Sequence, residues 1–169
     1  MKKLSIATAT LLAFATPAAA EHIQATLIGY EEVPSVSTVA AGSFSGMISP
    51  DEQFIDYELS FGGLQGSVTQ AHIHVAQRGV NGSIVIWLCG TAALPGPMGT
   101  PTCPDAGVVG RTITAADVIA GAMASQQLPA GGLAQAIAAM RAGVAYVNVH
   151  TSLSTGGEIR GQIRASSKR

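Results

Sequence analysis

Val68-Thr69-Gln70-Ala71-His72-Ile73-His74-Val75 decides how this chain is read. Its β-branched residues favour a strand, and in a strand successive side chains point to opposite faces. Gln70, His72 and His74 then share one face, and Thr69, Ala71, Ile73 and Val75 the other. One side packs and the other carries chemistry. Two imidazoles with one residue between them sit roughly 6–7 Å apart along a strand, close enough to hold one metal ion or one anionic group.

The pattern repeats on both sides of this stretch. Residues 22–29 read as a strand ended by Pro34, which cannot donate to a ladder. Residues 42–49 and 54–61 form a hairpin across Pro50-Asp51-Glu52, and the second alternates Ile55, Tyr57, Leu59 and Phe61 with polar residues. After the hairpin dipeptide Asn81-Gly82, residues 83–89 are apolar on both faces and belong in the middle of the domain, with Trp87 and Phe44 read as core. Helical patterning falls in two places. Thr114 reads as an N-cap with Asp117 three residues on, opening a helix through Val118, Ile119 and Met123, and residues 133–141 form a second helix closed by Gly143.

Residues 144–151 and 158–163 close the chain as strands. By alternation Tyr146, Asn148 and His150 share a face, as do Glu158, Arg160 and Gln162. If these strands and 68–75 are neighbours in matching register, His72, His74, Asn148, His150, Glu158, Arg160 and Gln162 meet on one polar patch. A slip of one residue scatters them. The expected fold is all-β: an immunoglobulin-like antiparallel β-sandwich or barrel with a short helical insertion before the last two strands.

Lys2 and Lys3, the apolar run from Leu4 to Phe14 and the small residues Ala18-Ala19-Ala20 read as a signal peptide over residues 1–20, cleaved near Ala20. The expectation is an exported protein, periplasmic or extracellular, with residues 21–169 as one domain. No later window is apolar for about 20 residues, so no membrane span is expected. The 169 residues carry nine basic and ten acidic side chains, two of the basic ones in the leader, and no basic patch that suits nucleic acid. In an exported chain Cys89 and Cys103 are most simply one disulfide, closing a Gly- and Pro-rich loop.

Several motifs together resemble the CHRD family, the domain repeated in chordin and found singly in bacterial exported proteins. They are Glu31-Glu32-Val33-Pro34, Gly42-Ser43-Phe44, Ala71-His72-Ile73-His74, Gly82 before an apolar strand, Tyr146-Val147-Asn148-Val149-His150-Thr151 and Gly157-Glu158-Ile159-Arg160-Gly161-Gln162. They run in the family's order over nearly the whole chain after residue 20. The resemblance implies an all-β sandwich or barrel and says little about activity. The chain has no G-x-S-x-G elbow, phosphate loop or dinucleotide fingerprint. The leading expectation is therefore a binding or structural module without catalytic activity, whose partner is an unknown protein or small ligand. The alternative is a copper or zinc site, with transport or redox chemistry, using His72, His74 and His150 as nitrogen ligands. In that reading Glu158 orients a ligand, and Asn148, Arg160 and Gln162 complete the patch. Arg160 is read as a clamp on Glu158 or on strand carbonyls.

Overall fold

A computed structural model describes residues 19–166. Residues 1–18 of the expected signal peptide lie outside the described residues.

Among the described residues, nine strands form one antiparallel sheet: β1 Glu21–Ile28, β2 Ala41–Ile48, β3 Phe54–Gly62, β4 Val68–Val75, β5 Ser83–Gly90, β6 Gly107–Thr114, β7 Ala145–Thr151, β8 Ile159–Gln162 and β9 Arg164–Ala165. The order across the sheet is β5-β4-β7-β8-β1-β2-β3-β6, with β9 beside β1. The sheet curls until its two outer strands face each other, giving a nearly closed barrel. Little ladder joins those edges directly. Instead the chain after β6 lies along β5: Ile119 N–H donates to the Val85 carbonyl at 2.9 Å, and Val118 bridges to Ile86. Tyr57 on β3 crosses the gap and donates its hydroxyl to the Leu88 carbonyl, while burial holds that phenol up at about 12.

The inner faces supply the core: Ile23 and Leu27 from β1, Phe44 and Ile48 from β2, Ile55 and Leu59 from β3, Ala71 and Ile73 from β4, Val147 and Val149 from β7. These are the apolar halves of the alternating stretches, and removing them from water drives the sheet to curl around them. One helix, α1 Leu133–Arg141, packs Leu133, Ala136, Ile137 and Met140 against the barrel. Arg141 at its last turn pairs with Glu21 and Glu52, both at 2.7 Å. The disulfide joins Cys89 at the end of β5 to Cys103.

One expectation is corrected. The helix expected after Thr114 is absent: Gly107–Thr114 is strand β6, followed by a single 3-10 turn, Ala115–Asp117. The capping chemistry itself is present, since Asp117 accepts from the Thr114 N–H at 2.7 Å and from its hydroxyl at 3.0 Å. The turn stops because β-branched Val118 and Ile119 gain more by pairing with the β5 edge than by continuing a helix. β6 itself lies outside the strands expected from alternation, since its two glycines mask the pattern, although Val109 and Ile113 alternate inward from it.

Candidate functional site

The polar patch lies on the face of β4-β7-β8 opposite the core. Gln70 pairs with His150, His72 with Asn148 and His74 with Tyr146 across β4 and β7; Asn148 pairs with Arg160 and Tyr146 with Gln162 across β7 and β8. That is the register in which the chemical faces coincide. Two register shifts do occur on β4, but against β5, on either side of the His72–Ile73 pair. They place His72 opposite Trp87 and leave the β7 side regular over residues 70–75.

Three loops roof this face: residues 29–36, 76–82 and 152–158. They are tied to one another and to the strands. Asn81 Nδ2 donates to the Val33 carbonyl at 3.1 Å, Arg78 pairs with Glu31, and Arg160 reaches up to the second loop. His72 is 0%, His74 7% and His150 6% exposed, so the cluster is closed to anything larger than an ion or water in this conformation. Two surface concavities, one over the outer side of β1 and β2 and one beside residues 30–35, include none of the three histidines.

Each of His72, His74 and His150 can present one nitrogen, and these atoms lie within 4.8 Å of one another. Their ring orientations are set by the roof. His150 Nδ1 is 2.9 Å from the Thr155 carbonyl and His74 Nδ1 is 3.0 Å from the Gly82 carbonyl. A carbonyl only accepts, so both Nδ1 atoms carry hydrogen and both Nε2 atoms keep a lone pair. His150 Nε2 faces His72 Nδ1 at 3.2 Å, and His74 Nε2 is buried without a hydrogen-bond partner among the described residues. His72 Nε2 is likewise buried and unpartnered.

Burial keeps all three imidazoles neutral. It pushes His72 down to about 2, with His150 and His74 adding to the effect, and His74 down to about 4 against the Gly82 contact. His150 is lowered by burial too, despite the Thr155 carbonyl. Aromatic packing completes the setting. Trp87, half-buried rather than a core residue, meets His72 edge to face at 4.3 Å between ring centres. His74 stacks on Tyr146 at 4.7 Å from the β4 side, and the Arg160 guanidinium lies 3.3 Å from the centre of the same ring, reaching from β8.

Arg160 is 1% exposed and clamps the roof rather than Glu158. Its fork donates to Asn81 Oδ1 at 3.1 Å, to the Val80 carbonyl at 2.8 Å and to the Gln77 carbonyl at 3.5 Å. Its nearest compensating carboxylates are Glu32 and Glu31. Glu158 sits elsewhere, because it precedes β8 and strand alternation does not reach it. It accepts from Gln65 N–H at 2.8 Å, the Thr151 hydroxyl at 2.8 Å and the Thr38 hydroxyl at 3.0 Å, closing the end of the barrel. Burial would raise its carboxyl, but these donors outweigh burial and hold it below the usual range. Gln162 lies at the other end of the patch and donates to the Ala76 and Gly143 carbonyls.

Glu32 is a part of the site that strand patterning does not reach, since it sits in a loop. It is 5% exposed, and burial pushes it up to about 7 against the pull of Arg160 and of hydrogen bonds from Val33 and Asn148. Gly157, at φ +125°, makes room for it: a Cβ there would collide with the Glu32 carboxylate and the Asn148 amide. The doubled acid of Glu31-Glu32 before Val33-Pro34 is the one sequence signal pointing to it.

The CHRD domain family description matches residues 23–163. The chain belongs to the CHRD domain family. The match spans β1 to the end of β8 and so includes every residue of the patch. Neither the curated proteins nor the solved structures contain a match to the chain. A CHRD domain is a binding or structural module by this assignment, and the family carries no catalytic information to transfer to His72, His74 or His150. No helix among the described residues is long and apolar enough to cross a membrane.

Proposed function

We propose that this CHRD domain is a non-catalytic binding module of an exported protein, and that its ligand is a copper or zinc ion held by His72, His74 and His150. One observation carries the reading. His74 and His150 each spend their Nδ1–H on a backbone carbonyl, the outer support that metal-ligating histidines ordinarily have, and this leaves Nε2 free to coordinate. Neutral imidazoles suit zinc and copper, and burial that suppresses their protonation means the ion does not compete with protons near neutral pH. With ligand bonds of about 2.1 Å, tetrahedral donors sit about 3.4 Å apart. His72 Nδ1 and His150 Nε2 already stand at 3.2 Å. Arg160 does not oppose the ion as a bare charge, because carbonyls and the Tyr146 ring engage it and Glu32 lies near it.

Support for export comes from the leader-like sequence of residues 1–20 and from the Cys89–Cys103 disulfide, a bond that persists in oxidising compartments. A second reading has its own observation: the His72–His150 contact pins β4 to β7 with no ion at all. Metal titration of the purified protein separates the two. The metal reading requires uptake of one copper or zinc ion per chain, a melting temperature that rises with the ion and falls back with chelator, and loss of both effects in His74→Ala and His150→Ala. A protein that takes up neither ion, yet loses stability in both variants, leaves the histidines as a purely structural cluster.

A further inference from the structure

The metal reading leaves one buried acceptor unexplained. Asn148 is 2% exposed, and its amide is oriented by what surrounds it. Nδ2 donates to the Gly156 carbonyl, 3.4 Å away. A carbonyl only accepts, so the NH2 group belongs on that side and Oδ1 on the other. Oδ1 then faces His150 Nε2 at 3.0 Å.

This contact cannot be satisfied by a neutral histidine. If His150 carries its hydrogen on Nδ1, the Thr155 carbonyl is satisfied and Nε2 meets Asn148 Oδ1 as lone pair against lone pair. If the hydrogen moves to Nε2, the clash moves to Thr155 at 2.9 Å. Both oxygens are satisfied only by an imidazolium or by a cation seated between His150 Nε2 and Asn148 Oδ1. His72 Nδ1–H can donate to His150 Nε2, but the amide oxygen still lacks a donor. Two acceptors held 3.0 Å apart in a dry interior call for a cation that both can face.

Resting on the three-histidine reading, we infer that Asn148 Oδ1 is the fourth ligand, making a three-nitrogen, one-oxygen centre that prefers divalent zinc or copper(II) to copper(I). The two spacings around His150 Nε2, 3.0 Å to Asn148 Oδ1 and 3.2 Å to His72 Nδ1, are close to the edges of a tetrahedron. An amide oxygen is a hard donor, which adds affinity for a divalent ion and little for copper(I). The Gly156 carbonyl acts through Asn148 by holding its oxygen forward, so it is a positioning group.

The test uses the purified protein, Asn148→Leu and Asn148→Asp, each titrated with zinc, copper(II) and copper(I) against competing chelators. Cobalt(II) spectra of each loaded protein are recorded alongside. Asn148→Leu should bind zinc and copper(II) roughly 10–100-fold more weakly than the parent, a loss of the order produced by removing a group that supports a metal, with copper(I) affinity nearly unchanged. Asn148→Asp should retain divalent binding and shift the cobalt bands, because the donor changes from amide to carboxylate. The spectral arm decides even if Asn148→Leu folds poorly. Cobalt bands that do not move in Asn148→Asp, or zinc affinity that does not fall in a folded Asn148→Leu, would overturn the fourth ligand and leave the three-histidine site standing. A parent that binds none of the ions overturns the site beneath it instead.

Discussion

Arg160→Met tests what holds the roof over the histidines. The substitution keeps an unbranched apolar stem of similar length and removes the guanidinium. Lost with it are the charge-assisted bonds to Asn81 Oδ1 and the Val80 carbonyl, the longer one to the Gln77 carbonyl, and the stack on Tyr146. Two good bonds from a charged donor are worth about 1.5 kcal/mol each at the low end, and a desolvated cation–π contact adds about 1–2 kcal/mol. Against this, arginine's own burial is unfavourable and is relieved by the change, so the net loss is about 3 kcal/mol. For a domain of this size that lowers the melting temperature by about 10 °C. The measurement is a thermal melt by circular dichroism in chelator, so that metal linkage does not enter. Arg160→Lys should fall in between, since an ammonium keeps the charge but cannot fork to the same acceptors. A melt of Arg160→Met that overlays the parent would refute the clamp, whatever else the patch does.

Acid should destabilise the domain through the same face. His72 and His74 are held at about 2 and about 4, below their unfolded value, so as pH falls from about 6.5 to about 5 the unfolded chain binds protons that the folded chain refuses. At about 1.4 kcal/mol per proton per pH unit, and with the unfolded imidazoles only half protonated at the start, the pair loses about 3 kcal/mol over that interval. Glu32 works in the opposite sense: held at about 7, it contributes stability below its unfolded value that disappears as pH rises through 7. Urea unfolding at about pH 7 and about pH 5 should therefore show a net acid loss that becomes steeper in Glu32→Gln, and a pH-independent midpoint would contradict the burial of neutral imidazoles. Replacing both Cys89 and Cys103 by Ser, which opens a loop spanning 14 positions, should cost about 3 kcal/mol in the same assay.

Much of the barrel is legible from alternation because most of its strands have one face in the core and one outside it. Residues 68–75 and 144–151 carry that signal cleanly, and with it the meeting of His72, His74, Asn148 and His150 on one surface. Alternation does not supply the shape of the connections. It groups Glu158 with Arg160 and Gln162, but the left-handed backbone at Gly157 comes just before Glu158 and the strand begins only at Ile159, so the Glu158 side chain turns to the barrel end. It also points Arg160 toward Glu158 or strand carbonyls, whereas the actual acceptors Asn81 and Val80 lie 79 and 80 residues away in a loop folded over the sheet. Thr114 and Asp117 show the same limit in reverse, since a correct local cap says nothing about whether the next residues find a better partner across the barrel.

The seam between β5 and β6 also bears on how the protein meets other copies of itself. A sheet with two free outer strands offers rows of unpaired amides and carbonyls on which another copy can extend the ladder. Here the residues that lay an Ile119 N–H on Val85, a Val118 bridge on Ile86, and a Gly90–Pro101 and Cys103–Gly90 exchange along β5 leave that strand little of its edge to share. The covalent bond at Cys89 fastens one end of this covering, so the disulfide loop and the segment after β6 together guard the β5 edge against polymerising.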